Sequence, residues 1–232
     1  MSQPTVVLVH GAFADASSFG DVIPLLLEDQ IPVRAPAVPN RSLNGDAAYV
    51  GAVVASIRGP VVLVGHSYGG AVATVAGTAA NVTGLVYLAG FVPDEGETLG
   101  QLAGRFPESD LATALVPTPI PGGVDLTVAV DKFAAVFAHD VNPQVARTLA
   151  VTQRPLSGAA FEEPAGAAAW HTKAAWGVIA SADHTINPDV QRFAYERANV
   201  ASVEVESSHL LMLSQPTVAV NLIKKAVQAV SD

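Results

Sequence analysis

The most chemically suggestive residue of the sequence is a serine between two glycines. Residues 65–69 read Gly-His-Ser-Tyr-Gly, which is the pattern G-x-S-x-G with Ser67 at its centre. The pattern follows the apolar run Val61–Val64 and leads into a helical pattern over Gly69–Ala80. On a tight turn from strand to helix such a serine is strained and exposed, and glycines two residues away avoid a collision. The spacing therefore predicts that Ser67 is a nucleophile.

A serine hydroxyl attacks a carbonyl only when a base removes its proton and an acid orients that base. Where the serine sits on such a turn, the order along the chain is serine, acid, histidine. His209 is the one histidine that follows every plausible acid, and it stands in a loop just after a strand pattern. Asp183, which follows the run Ala175–Ala180, is the first choice for the acid. Asp94, after the run Leu85–Ala89, is a second choice that the sequence leaves open.

Acyl transfer also needs hydrogen-bond donors for the negative oxygen that forms when the serine attacks. We expect one donor to be the N–H of Tyr68, which follows the nucleophile and opens a helix whose dipole favours negative charge. We expect the other donor in the loop after the first strand, where Gly11 lets the backbone turn inward. Ala12 N–H is our choice there.

The remaining histidines and the absence of cysteine narrow the chemistry. The chain has no cysteine, which excludes disulfides, thiolate metal sites and a cysteine nucleophile. No two histidines have the H-x-x-x-H spacing of a helical metal site, so we expect no metal and no cofactor. His10, at the end of the first strand pattern, is expected to shape its loop rather than to transfer protons.

The elements that must position these residues alternate between strand and helix patterns. The strand patterns are Thr5–Val9, Ile31–Ala35, Val61–Val64, Leu85–Ala89, Ala175–Ala180 and Ser202–Val205. The helical patterns are Ser17–Glu28, Asp46–Ile57, Gly69–Ala80, Pro188–Ala198 and Pro216–Val230. Such alternation is typical of βαβ units. We predict an α/β fold with a doubly wound, mainly parallel six-stranded sheet.

The alternation is interrupted between Pro93 and Lys173, where prolines and short apolar helical pieces occur without a convincing strand. We interpret this segment as a helical cap over the carboxyl edge of the sheet, where ligands bind in open α/β sheets. Residues 1–92 and 174–232 are then the core, and residues 93–173 the cap. Several aromatic side chains are candidates for an apolar pocket, although such residues more often belong to the core. They are Phe13, Phe133, Phe137, Phe161, Trp170 and Trp176.

Composition restricts the class of partner. The stretch Gly59–Pro93 has no Asp, Glu, Lys or Arg, but glycines and polar residues divide it into pieces too short to span a bilayer. We therefore expect the buried centre of a sheet and no membrane contact. A net charge of −9 speaks against nucleic acid, since phosphate binding needs a basic surface. No signal peptide is visible, and we expect a cytoplasmic protein.

Four segments of the sequence resemble the α/β-hydrolase superfamily. They are Val-Leu-Val-His-Gly-Ala at 7–12, Gly-His-Ser-Tyr-Gly-Gly at 65–70, Asp183 eight residues before Gln191, and Ser-His-Leu-Leu-Met-Leu at 208–213. They are most similar to the branch of small esterases that includes plant methylesterases and hydroxynitrile lyases. The resemblance implies a triad of Ser67, Asp183 and His209, with the N–H groups of Ala12 and Tyr68 around the oxyanion.

The departures from that branch also carry information. Hydroxynitrile lyases have threonine and lysine at the positions of Gly11 and Leu210, so cleavage of cyanohydrins is not expected. Dehalogenases and epoxide hydrolases of this fold use an aspartate nucleophile, and the serine at position 67 argues against both.

Together these features predict a cofactor-independent serine hydrolase that cleaves small, fairly apolar carboxylic esters through an acyl-enzyme. Two alternatives stay open. One keeps the triad and changes the acceptor or the bond, as in a perhydrolase, a thioesterase or a lactonase. The other is a ligand-binding receptor with little turnover. The expected partner is a small-molecule ester, and the chain is expected to be a monomer or a homodimer.

Overall fold

The computed structural model describes residues 3–231. Its strands are β1 (Thr5–Val9), β2 (Val33–Arg34), β3 (Val61–His66), β4 (Val82–Leu88), β5 (Leu115–Ile120), β6 (Gly123–Val128), β7 (Leu156–Ser157), β8 (Ala174–Ala180) and β9 (Ala201–Val205). Its helices are α1 (Val22–Glu28), α2 (Leu43–Ala55), α3 (Tyr68–Ala76), α4 (Leu99–Ala103), α5 (Val130–Phe137), α6 (Pro143–Val151), α7 (Ala159–Glu162), α8 (Pro188–Arg197), α9 (Leu211–Ser214) and α10 (Pro216–Ala229).

Six strands form one sheet in the order β2-β1-β3-β4-β8-β9, and every neighbouring pair in it is parallel. The register pairs Val9 with Gly65 and Gly65 with Tyr87. The carboxyl ends of β1, β3 and β4 therefore lie side by side at one edge. This arrangement confirms the predicted doubly wound sheet of six strands.

Helices cover both faces of the sheet. Right-handed crossovers place α1 on one face and α2, α3 and α8 on the other. The packing of α2 against α3 agrees with this, and α10, which follows the last strand, lies on the face of α1 because it packs against that helix. The charge-poor stretch occupies the middle of this arrangement. All six residues of β3 are buried, and so are most of α3 and β4, which explains why no charged residue occurs there.

The ends of several elements differ from the predicted bounds for local reasons. Helix α2 begins three residues before Asp46, because the Ser42 hydroxyl accepts a hydrogen bond from Gly45 N–H and caps the helix there. The predicted helix from Ser17 is divided into a 3₁₀ turn over Ala16–Phe19 and α1. The second strand is only two residues long, since prolines at 32 and 36 remove N–H donors from its ends.

The segment between β4 and β8 contains a second, antiparallel sheet in the order β5-β6-β7. The prediction that this segment has helices and no strand is wrong in that respect. Pro117 and Pro119 obscured the strand pattern, and the structure accommodates them because β5 is an edge strand. Pro121 and Gly122 form the turn between β5 and β6, and the φ of Gly122 is 85°, as expected at the third residue of a type II turn. The assignment of residues 93–173 to a separate cap stays a prediction.

None of the helices within residues 3–231 is long and apolar enough to cross a membrane.

Candidate active site

Ser67 occupies the turn between β3 and α3 in a strained backbone conformation. Its φ is 55° and its ψ is −125°, a combination that non-glycine residues rarely adopt. Three hydrogen bonds hold the turn. Ser67 N–H donates to Leu88 C=O (3.2 Å), and Ser67 C=O accepts from the N–H groups of Gly70 (2.9 Å) and Phe91 (3.1 Å). The neighbouring strand β4 and its loop thus fix the conformation of the serine.

The glycines around Ser67 are required by close backbone packing. A Cβ atom on Gly65 would collide with the carbonyl oxygen of Gly69, and one on Gly69 would collide with that of Val9. A Cβ on Gly11 would lie 2.7 Å from the Cβ of Ser67. The pattern G-x-S-x-G and the glycine after His10 therefore reflect one tight junction between the ends of β1 and β3.

Asp183 and His209 form a fully buried pair. Asp183 Oδ2 lies 2.7 Å from His209 Nδ1, and neither side chain is exposed. A carboxylate only accepts hydrogen bonds, so Nδ1 carries the donated proton. Nε2 of His209 has no hydrogen-bond partner among residues 3–231. In the neutral ring this nitrogen is the free base, which is the form that removes a proton from a serine.

Further hydrogen bonds keep Asp183 in position. Its Oδ1 accepts from the N–H groups of Thr185 (2.7 Å) and Ile186 (3.0 Å), and its Oδ2 also accepts from Gln191 Nε2 (2.8 Å). The amide oxygen of Gln191 in turn accepts from Ala180 N–H (3.0 Å). The sequence argument did not give Gln191 a role. A polar residue on the buried face of α8 was the available signal.

Asp94, the alternative acid, lies elsewhere. Its Oδ1 is 2.8 Å from His171 Nε2, and its side chain is 38% exposed. The structure therefore brings Asp183 and not Asp94 to His209.

His66 links the turn that holds Ser67 to His209. Its Nε2 lies 3.0 Å from the backbone carbonyl of His209, and the two rings are 4.6 Å apart at 52°. Burial lowers the pKa of His66 well below its ordinary value, and the positive charge of a protonated His209 lowers it further. His66 is consequently neutral and donates from Nε2. Sequence reasoning treated His66 as the variable residue of the turn and missed this contact.

Two backbone N–H groups beside Ser67 have no hydrogen-bond acceptor in the described residues. Within residues 3–231 no backbone or side-chain acceptor takes the N–H of Ala12 or that of Tyr68. The next amide, Phe13 N–H, donates to Arg154 C=O (3.0 Å). The structure therefore leaves unoccupied the same two donors that the sequence analysis selected.

His10 holds the loop that carries Ala12. Its Nδ1 donates to Gly11 C=O (2.9 Å), and its Nε2 accepts from Val38 N–H (2.9 Å). Burial lowers the pKa of His10, which favours the neutral form that this pair of bonds requires. The loop-shaping role expected for His10 agrees with these contacts.

The side chain of Tyr68 is also anchored. Its phenol donates to Oδ2 of the buried Asp46 (2.7 Å), and both oxygens of Asp46 accept from Arg41 N–H. Burial raises the pKa of Asp46. This bond connects the start of α3 to the start of α2.

A cavity of about 390 Å³ opens above Ser67. Its floor includes Ala12, Ser67 and Tyr68, and its walls come from α4, from the segment after it and from the end of α7. Most of the lining is apolar, and its size is within the range of small-molecule sites. Phe91 and Phe161 contribute aromatic surface, with their rings 6.1 Å apart.

The predicted pocket aromatics separate into two groups. Phe13 and Phe161 line the cavity, whereas Phe133, Phe137, Trp170 and Trp176 do not. Helix α5 turns Phe133 and Phe137 into the core, where the Phe137 ring packs edge-on against the ring of His209 at 4.7 Å. Trp170 donates its indole N–H to Pro93 C=O (3.0 Å), so it ties the segment after β4 to the chain before β8.

Comparison with known proteins identifies a family and similar folds. The family described as the alpha/beta hydrolase family matches residues 6–221. Similar solved structures include a pyrethroid hydrolase from Sphingobium faniae JZ-2 (TM-score 0.81, 21% identity, 98% of each chain covered). They also include polyneuridine aldehyde esterase (0.83, 20%, 100% of each chain) and a methylesterase from Arabidopsis (0.79, 16%, 97% of this chain and 99% of that one). No curated protein matches the sequence.

The family match extends from β1 into α10 and therefore includes the whole region that carries Ser67, Asp183 and His209. The chain belongs to the alpha/beta hydrolase family.

Proposed function

We propose that the protein is a serine hydrolase that cleaves small, fairly apolar carboxylic esters through an acyl-enzyme. The observation that carries the proposal is the arrangement of His209. Asp183 fixes the proton on Nδ1, and Nε2 has no hydrogen-bond partner among residues 3–231. His66, the residue before Ser67, donates to the backbone carbonyl of His209.

In the first half of the reaction Ser67 Oγ attacks the ester carbonyl carbon while His209 Nε2 takes the hydroxyl proton. The electron pair of the carbonyl π bond moves to oxygen, and the N–H groups of Ala12 and Tyr68 donate to that oxyanion. Such donors are each worth about 10²–10³ in turnover. The tetrahedral intermediate collapses, the bond to the alkoxy oxygen breaks, and His209 returns the proton to the leaving alcohol.

In the second half water replaces the alcohol. His209 Nε2 takes a proton from water as its oxygen attacks the acyl-enzyme carbonyl, and the same two N–H groups hold the second oxyanion. Collapse breaks the bond to Ser67 Oγ, which regains its proton from His209. The carboxylic acid leaves, and the resting enzyme is restored.

The cavity supports a small apolar substrate. Its volume of about 390 Å³ leaves room for a short acyl chain and a small alcohol, and aliphatic and aromatic residues such as Phe91, Leu115 and Phe161 line it. Two of the similar solved structures are named as esterases and one as a pyrethroid hydrolase. These names are consistent with an ester as the bond that this chain cleaves.

The test is hydrolysis of p-nitrophenyl butyrate by wild type and by Ser67→Ala. We expect multiple turnover by wild type, loss of turnover in S67A, and unchanged circular dichroism and unfolding midpoint for the variant. Turnover that persists in S67A contradicts Ser67 as the nucleophile.

A fluorophosphonate probe separates the competing functions. Stoichiometric labelling of wild type, absent in S67A, together with only slow release of product, would indicate a receptor of low turnover. Labelling of Ser67 together with slow hydrolysis of simple esters has a second interpretation. Rapid turnover of thioesters, of lactones or with a peroxide acceptor would then indicate a thioesterase, a lactonase or a perhydrolase with the same triad.

A further inference from the structure

The charges around the cavity above Ser67 all have one sign. Glu108 and Glu162 are among the residues that line it, and no Lys, Arg or His of the described chain does so. Both glutamates are exposed, so they lie where the cavity meets solvent. A charged substrate therefore meets two carboxylates at the entrance and no cation inside.

Glu162 is directed towards the cavity wall formed by α4. Its Oε1 lies 2.9 Å from the position that a Cβ atom on Gly100 would occupy, and Gly100 itself lines the cavity. The glycine leaves room for the carboxylate against the helix backbone. Any larger residue at position 100 would displace Glu162.

Glu163, the next residue, differs from Glu162 in its contacts. Glu163 is engaged in the fold, because its oxygens accept from Asn44 Nδ2 (2.9 Å) and Ser42 Oγ (2.9 Å). Glu162 has no side-chain hydrogen bond or ion pair within residues 3–231. Of the two neighbours, Glu163 ties the segment before β8 to α2, whereas the charge of Glu162 is available to a ligand.

The carboxylate of Glu108 is available to a ligand in the same way. This residue follows the end of α4 by five residues, lines the cavity, and has no ion pair in the described structure. The arginine closest to it in sequence is already occupied. Arg105 binds Glu97 (3.0 Å) and stacks over the ring of Phe193 at 5.2 Å. Arg105 is therefore paired with Glu97 and not with Glu108.

We propose that this entrance makes the enzyme select uncharged and cationic esters over esters that carry a carboxylate, and that Glu162 and Glu108 determine the selection. The inference rests on the proposed function. An anionic ester is repelled at the rim and finds no basic partner in the cavity, whereas a cationic one is attracted. The net charge of −9 acts in the same direction at longer range. At an exposed position one carboxylate is worth about threefold to tenfold in kcat/KM, and salt screens it.

The experiment compares three p-nitrophenyl esters whose acyl chains have the same length. They end in a tert-butyl group, a trimethylammonium group or a carboxylate. The first two have nearly the same shape and differ in charge, and the carboxylate supplies the opposite charge in a smaller group. We expect wild type to prefer the cationic over the anionic ester by about tenfold or more at low salt, and the preference to shrink in about 0.5 M NaCl. Glu162→Gln should reduce the ratio by about fivefold, and the double variant with Glu108→Gln should bring it near one.

Glu28→Gln is the matched control. Glu28 ends α1, which runs from the carboxyl end of β1 back to the amino end of β2, so its charge lies at the opposite edge of the sheet. This variant should keep the wild-type ratio and should hydrolyse the tert-butyl ester within about twofold of wild type.

Two outcomes overturn the inference in distinguishable ways. If the folded double variant keeps the wild-type ratio of cationic to anionic ester, the selection is not set by these residues and the inference is wrong. If wild type hydrolyses none of the three esters, the proposed function fails and the selection fails with it.

Discussion

Oδ2 of Asp183 accepts a hydrogen bond from Nδ1 of His209 over 2.7 Å, with both side chains completely buried. Because the carboxylate is removed from water, it holds the imidazole in one tautomer and one orientation. An amide in its place could present an N–H to the ring and stabilise the other tautomer, whose free nitrogen points away from the serine.

Asp183→Asn is therefore expected to lower kcat for p-nitrophenyl butyrate by about 10³–10⁴-fold. Asp94→Asn is the matched control, since Asp94 pairs with His171 at the surface, and it should change kcat by less than about twofold. Steady-state kinetics of the two variants decide the matter. A large decrease of kcat in D94N together with a small decrease in D183N would assign Asp94 as the acid instead of Asp183.

Gln191 is expected to position Asp183 rather than to touch substrate. Gln191→Leu removes a donor to Asp183 and leaves Ala180 N–H without its acceptor, so we expect a loss of about 1–3 kcal/mol in the free energy of unfolding. We also expect kcat to fall by about tenfold with little change in KM, because the acid that orients the base becomes mobile. Gln144→Leu, on the exposed side of α6, should leave both quantities near wild type. A variant Q191L with wild-type kcat would show that Asp183 needs no such support.

The glycine at position 69 is expected to tolerate no side chain. Gly69→Ala places a methyl group against the carbonyl oxygens of Val9 and His10, and the free energy of unfolding should fall by about 3 kcal/mol or more. Gly51→Ala provides the contrast. Gly51 lies within α2 with open space around it, so alanine should stabilise the fold by about 0.5–1 kcal/mol. Urea denaturation of both variants tests the pair, and equal stabilities would contradict the packing argument.

The pH dependence of stability should reveal the buried His66. Its pKa is lowered from 6.5 by burial, so below about pH 6.5 the unfolded chain binds a proton that the folded chain does not. Above that pH the contribution of His66 to the free energy of unfolding is complete. As the pH falls from the ordinary pKa towards the lowered one, this contribution is lost.

His66→Gln keeps an N–H near the His209 carbonyl and does not titrate. Between about pH 6.5 and 5 the unfolding free energy of wild type should fall more steeply than that of H66Q, by about 1.4 kcal/mol per pH unit. Urea titrations at several pH values measure the difference. Parallel curves for wild type and H66Q would mean that His66 is protonated in the folded protein.

The activity should depend on the neutral form of His209. The acid limb of log kcat/KM against pH is expected to have a slope of about one, because a single proton on Nε2 blocks the general base. A profile without an acid limb would contradict His209 as the base.

Much of the core was accessible from sequence patterns. The order of strands and helices follows from the alternation of buried apolar runs with helical periodicity, and the six-stranded parallel sheet confirms it. The patterns gave a wrong start for α2, because the Ser42 hydroxyl caps the helix, which begins three residues before the predicted start at Asp46. They failed again at β5, where prolines normally exclude a strand and only its position at the sheet edge permits one.

The sequence by itself determined which groups are available for chemistry. A serine in the pattern G-x-S-x-G, an aspartate after one strand and a histidine after the next are local properties, because each follows a strand whose apolar run is visible. Only the tertiary structure decided which acid reaches His209, that Gln191 and His66 support the pair, and which aromatic residues line the cavity. These depend on contacts between residues far apart in the chain, since His66 and His209 meet only when β3 and the loop after β9 come to the same edge of the sheet. Periodicity describes which face of an element is buried, and it does not describe what that face touches.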